Sequence, residues 1–145
     1  MKKILLILSL FTLCASSCDA DGRKQITSID NLPSAARQTI STYFAKSRVL
    51  TVIKETELID TEYEVRLEDG VEIEFDSNGD WKKIDCQRAA VPEQLIPAEI
   101  LNQTKISFPE TAVVEIKKKR KGFDVELSNG LELEFDSRFN FRIDD

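Results

Sequence analysis

The stretch YEVRLEDGVEIEFDSNGDWKKID, residues 63–85, returns sixty residues later as FDVELSNGLELEFDSRFNFRIDD, residues 123–145. Val65, Leu67, Gly70, Glu72, Glu74, Phe75, Asp76 and Ser77 recur unchanged as Val125, Leu127, Gly130, Glu132, Glu134, Phe135, Asp136 and Ser137. Self-similarity at a fixed spacing marks one structural unit used twice, which restricts the fold more than any composition figure. Inside the unit Tyr63, Val65 and Leu67 alternate with Glu64, Arg66 and Glu68, then Val71, Ile73 and Phe75 alternate with Glu72, Glu74 and Asp76. A period of two belongs to strands with one buried and one wet face. Asp69-Gly70 and Asn78-Gly79 read as tight turns with positive φ, and residues 81–85 as a short last strand.

Upstream, VLTVIKE (residues 49–55) is β-branched and supplies the unit's first strand. Before it, Leu32, Ala36, Ile40 and Tyr43/Phe44 fall at helical spacing, with Pro33 suited to the first turn. Residues 87–95 form a linker, after which Ile96-Pro97 matches Leu32-Pro33, and Ile100, Thr104 and Phe108 match Ala36, Ile40 and Phe44. Equivalent positions are 64 residues apart up to the first strand and 60 beyond it. The first unit therefore carries four extra residues at one hairpin tip, around Leu58-Ile59, where the second has the compact basic turn KKKRKG. Each unit alone is marginal for a private core. The expected fold is α+β: a tandem repeat of helix plus four-stranded antiparallel meander over residues 32–86 and 96–145. Two helices pack on one face of an eight-stranded antiparallel sheet, and Glu64, Arg66, Glu72, Glu74, Asp124, Glu126, Glu132 and Glu134 line the other.

The chain opens with MKKILLILSLFTLCASSC, a Lys2-Lys3 start, an apolar run and then small residues. This reads as a secretory leader, residues 1–18, too short for a permanent span. Residues 15–18 resemble a relaxed lipobox that would make Cys18 the acylated first residue of a lipoprotein, although Ala15 stands where an aliphatic residue is usual. The alternative is cleavage after Ala20. Residues 19–31 are polar and read as a tether. Either way the expected location is extracytoplasmic, periplasm or outer membrane, with membrane attachment only through an N-terminal lipid. Cys14 leaves with the leader, so Cys86 has no partner; it reads as a small apolar residue at a strand end, with an exposed dimerising thiol as the alternative.

The chain has no histidine and a net charge of −6, and loss of Lys2 and Lys3 makes it more acidic still. That balance opposes nucleic acid as a partner, and the missing histidine removes Ser–His and Cys–His nucleophile pairs. No phosphate loop, cofactor motif or metal-ligand spacing is present in the sequence, so the expectation is no enzyme, no cofactor and no metal.

The pattern Leu-Pro, helix, Phe-(Pro/Ala), strand, Tyr/Phe-x-Val-x-Leu-x-x-Gly-x-Glu-x-x-Phe-Asp, found twice between Leu32 and the C-terminus, resembles the PepSY-like family. These secreted proteins, mostly from Bacteroidetes, are described as β-lactamase-inhibitor-like, and β-lactamase inhibitory protein shares the tandem helix-plus-four-strand build. The resemblance implies an extracytoplasmic binding module and no activity.

Three groups are candidate contacts for another extracytoplasmic protein. Leu58 and Ile59 stand at the longer tip, with folding back onto the sheet edge as the alternative. Lys117, Lys118, Lys119, Arg120 and Lys121 form the basic run, suited to an acidic partner or anionic headgroups. Trp81, Phe139 and Phe141 end the meanders, as packing or as anchors. Residues 76–80, DSNGD, fall short of a calcium loop and read as a hairpin turn. The same-face carboxylates Glu72/Glu74 and Glu132/Glu134 read as a solvated surface. The expected function is a secreted or lipid-anchored non-catalytic binding module, an enzyme inhibitor being one form. The alternative is an envelope module that holds a small ligand between the repeats.

Overall fold

Nine strands hydrogen-bond antiparallel in sequence order to make one sheet in the computed structural model, which describes residues 23–144. They are β1 (Arg23–Thr27), β2 (Val49–Thr56), β3 (Thr61–Leu67), β4 (Glu72–Phe75), β5 (Trp81–Asp85), β6 (Val113–Lys119), β7 (Gly122–Leu127), β8 (Glu132–Asp136) and β9 (Phe141–Asp144). Helix α1 (Ser34–Tyr43) precedes β2 and α2 (Ala98–Ser107) precedes β6, so each helix leads into four consecutive strands. The leader, Cys18 and the first residues of the expected tether lie outside the described residues.

The sheet has nine strands where the alternation predicts eight. The additional one, β1, lies inside the segment read as a tether. Its sequence RKQIT leaves every residue but Thr27 exposed, so no apolar period announces it. It forms because β2 would otherwise present an unpaired row of backbone groups, and the register from Arg23↔Thr56 to Thr27↔Val52 satisfies that row.

Alternation along β3, β4, β7 and β8 buries Val65, Leu67, Ile73, Phe75, Val125, Leu127, Leu133 and Phe135, each at most 2% exposed. They share one cluster with Ala36 and Ile40 of α1 and Ile100 of α2. Each such side chain is worth roughly 1.5–3 kcal/mol when withdrawn from water. The helical stripe is as expected at Leu32, Ala36, Ile40 and Phe44, but Tyr43 points outward. Pro33 and Pro97 stand one residue before the first helical turn and lack a side-chain cap. Strands β5 and β6 join the two halves through Lys83↔Lys117, Ile84↔Ile116 and Asp85↔Glu115, so backbone bonding runs unbroken across the sheet.

The turns differ from the expected two-residue form. Gly70, Gly79 and Gly130 take positive φ, near 90°, while Asp69 and Asn78 do not. Gly70 N–H donates to Leu67 and Leu67 N–H to Val71, closing a three-residue loop with glycine in the left-handed position. Gly79 has a further reason to be glycine: a Cβ there would lie 2.8 Å from the Ala36 amide nitrogen of α1. In the second half Phe139 takes the equivalent place, at φ 62°.

The charged sheet face as candidate functional site

Because paired residues in an antiparallel ladder share a face, the registers place whole rows of side chains across the surface that the helices leave open. One row runs Ile26, Ile53, Glu64, Glu74, Lys83, Lys117, Asp124, Glu134, Arg142, one residue from each strand. The next row, from β4 to β9, runs Glu72, Asp85, Glu115, Glu126, Glu132, Asp144. It contains carboxylates alone, with about 4.8 Å between strands.

Like charges directly opposite each other are destabilising, so this row needs counter-ions. Arg66 supplies one at the β3 end, with its Nε 2.6 Å from Glu64 and 3.5 Å from Glu72. Lys83 supplies another at the junction of the halves, 3.2 Å from Glu115 and 3.8 Å from Asp85. Burial pushes the Glu115 carboxyl above the usual carboxylate range, against the pull of Lys83. Lys83 is also desolvated, yet its hydrogen bond to Glu115 and the nearby carboxylates raise it above the ordinary lysine value. Beyond this junction Arg142 pairs with Glu134 in the neighbouring row. Among the described residues no ion pair forms to Glu126, Glu132 or Asp144, which line an open cleft of about 240 Å³ with Lys117 and Asp124. Asp85 and Glu115, which complete the row, escape sequence reasoning because only the β5–β6 register brings them beside the repeated glutamates.

Leu58 and Ile59 do not fold back onto the sheet edge. At 103% and 101% exposure they are the most exposed large aliphatics of the described chain. The basic run divides. Lys119 pairs with Asp124 at 2.7 Å, Lys118 places its ammonium 4.0 Å from the Trp81 ring centroid, and Lys117 belongs to the mixed-charge row, while Arg120 and Lys121 end the hairpin exposed. The aromatics are packed rather than presented as anchors. Trp81 is half-buried under Lys118, Phe139 stacks on Phe123 at 6.1 Å, and Phe141 lies 5.5 Å from Phe135 and 5.8 Å from Phe108. Phe141 was readable as core, since it stands opposite Phe135 on the buried side. An apolar patch that sequence reasoning missed lies at the β1 edge, where Ile26, Ile29 and Leu50 are exposed around a shallow cleft of about 250 Å³. Cys86 is 4% exposed, and burial first, then Asp85 and Asp69, push its thiol up to about 11.

The turn at residues 76–80 uses its leading carboxylate internally. Asp76 Oδ1 accepts the Asn78 and Asp80 N–H groups at 2.8 and 3.0 Å. Asp136 does the same with Arg138 and Asn140 at 2.8 and 2.9 Å and adds the Asn140 side chain. Those bonds, the Asn140 side chain foremost, hold the Asp136 carboxyl below its ordinary value of 3.8. A carboxylate depressed on folding stabilises above the unfolded value, and that contribution is lost as pH falls through the folded value. Asp136→Ala should therefore lower the melting temperature at neutral pH, and the gap to wild type should narrow as the pH falls below the ordinary carboxylate value and through the lower folded one. Paired thermal melts across that range check it.

The sheet, its helix-covered face and its open charged face define an α+β protein. Two overlapping segments, residues 19–70 and 61–143, match the family described as "Putative beta-lactamase-inhibitor-like, PepSY-like". The chain belongs to this PepSY-like family. Similar solved structures include three from Bacteroides species. A "putative periplasmic protein" of the DUF2874 family from Bacteroides vulgatus has a TM-score of 0.81 and 31% identity, over 84% of this chain and 97% of that one. A "putative calcium-regulated periplasmic protein" from Bacteroides thetaiotaomicron has 0.79 and 33%, over 84% and 97%. A second Bacteroides vulgatus protein, described as periplasmic and of unknown function, has 0.79 and 36%, over 85% and 100%. Comparison with curated proteins gives no match. No helix among the described residues is long and apolar enough to cross a membrane.

Proposed function

We propose that this protein is an extracytoplasmic, lipid-anchored, non-catalytic binding module with two tandem units, built like β-lactamase inhibitory protein. It captures a partner protein on its open sheet face. The observation that carries this reading is the row of six carboxylates from Glu72 to Asp144, whose β7–β9 end lines an open cleft and forms no direct ion pair among the described residues. A partner with a basic surface would relieve the repulsion that folding leaves in the row, so association gains from charge that destabilises the free protein. The inhibitor-like family description supports the same class. The clefts of about 240 and 250 Å³ lie on β6–β9 and along β1–β2, not between the two halves, which favours a macromolecule over a small ligand held there. The one cysteine among the described residues is a buried, protonated thiol, so it offers no nucleophile. Calcium regulation belongs to one relative's description and is not carried over to this chain.

The test is capture from envelope and secreted fractions with the chain from residue 19 onward, followed by affinity measurement on the purified partner. Glu126→Lys with Glu132→Lys should weaken binding by roughly tenfold or more, and salt should weaken the wild-type complex. Equal affinity for the wild-type and reversed faces would remove the sheet face from the reading. Lipidation is tested separately, by incorporation of a labelled fatty acid that Cys18→Ser abolishes.

A further inference from the structure

We propose that Leu58 and Ile59 enter the phospholipid bilayer that carries the protein's own N-terminal anchor, so that the β2–β3 tip is a second, non-covalent membrane contact. The inference rests on the acylation of Cys18 advanced above.

Its first ground is position. The described chain begins at Arg23, which is paired with Thr56 at the last position of β2. The tip starts at the next residue. Four residues separate Cys18 from Arg23, so the two lie at most roughly 17 Å apart with the chain fully extended. An anchor at Cys18 therefore brings this end of the sheet, and the tip with it, against the membrane surface.

The second ground is the tip's build. Two fully exposed aliphatic side chains occupy its centre. Its backbone closes on itself, with Glu57 N–H donating to Asp60 at 2.9 Å and Thr61 N–H to the Asp60 carboxylate at 2.8 Å. The carboxylates that flank the pair, Glu57 and Asp60, stay at headgroup depth. With Glu55 and Glu62 beside them they favour the ammonium of a zwitterionic ethanolamine lipid over an anionic surface. Lys24, paired with Glu55 at 3.4 Å, offsets part of that charge. The basic β6–β7 tip stands at the same end of the strands, four strands further on, where about 20° of twist per strand would turn it away from the β2–β3 tip.

The experiment uses the lipidated chain purified from membranes and reconstituted in phosphatidylethanolamine-containing vesicles. Acylation consumes the Cys18 sulfur and Cys86 is buried, so Ile59→Cys adds the one accessible thiol, which takes a polarity-sensitive dye. Its emission should shift to shorter wavelength on reconstitution, and a lipid-borne quencher should reduce it several-fold. The same dye at Arg88→Cys, beyond the far end of β5, should remain water-like. Leu58→Asp with Ile59→Asp should leave thermal unfolding unchanged, since neither side chain touches the core. Water-like emission at position 59 in acylated protein overturns the insertion and leaves the anchor standing. A shift that requires an added protein partner overturns it in favour of protein docking. An N-terminal peptide without acyl mass overturns both.

Discussion

Gly122→Ala should lower the stability of the whole protein by about 4 kcal/mol and its melting temperature by roughly 15 °C. Gly122 opens β7 at φ 150°, a backbone setting that L side chains rarely take, and is paired with Asp136 on β8. A Cβ at this position would lie 1.8 Å from the carbonyl oxygen of Phe135 and 2.8 Å from its carbon. Both are backbone atoms of the neighbouring strand, so no rotamer change can relieve the contact and the two strands must separate locally. The same strand holds Phe135 in the core, so the damage spreads inward. Folded domains exceed their unfolded state by only about 5–15 kcal/mol, which makes this loss a large fraction of the total. Chemical denaturation of wild type and variant gives the number. A variant within about 1 kcal/mol of wild type would mean that β7 can begin one residue later without cost.

The second large effect tests whether the two halves are one cooperative body. Phe75 is fully buried in the first half, as Phe135 is at the equivalent place in the second. Phe75→Ala should cost about 3–5 kcal/mol through lost burial and the cavity left behind. Because the core is one cluster and β5 bonds directly to β6, this variant should unfold in a single transition, shifted as a whole. Denaturation followed both by the fluorescence of Trp81, at the start of β5, and by circular dichroism decides it. Two separated transitions would show that each half holds its own stability despite the shared sheet.

Much of this architecture was legible because strand alternation and helical spacing report burial directly. The stripe Leu32, Ala36, Ile40 and the pairs Val65/Val125 and Phe75/Phe135 lie buried where the period puts them. What escaped was structure made by neighbours rather than by its own sequence. In β1 the single strong apolar residue, Ile26, is 77% exposed, so RKQIT carries no pattern to read and owes its form to the open edge of β2. The acidic row escaped in part for a related reason. Glu72, Glu126 and Glu132 were visible as outward positions, but their alignment with Asp85, Glu115 and Asp144 depends on register, which the bulges at Glu74/Phe75 and Val113/Glu115 help to set. Leu58-Ile59 stood out as an insertion in one copy of the repeat, while its exposure and its place beside the chain's entry needed the β1 pairing.

The strict sequence order of the strands also bears on how the chain reaches its native state. Each hairpin from β2 to β5 and from β6 to β9 closes over a handful of residues, and such local pairings form in microseconds. Two ladders close around a helix: β1 with β2 at the outer edge, and β5 with β6 at the centre, where Asp85 meets Glu115 thirty positions further along the chain. A chain delivered from its N-terminus can therefore finish its first half before the second appears, then add β6 onto a waiting edge. The slowest step of folding should be that one docking event, and changes at Ile84 or Ile116 should slow it more than equal losses placed at either outer edge.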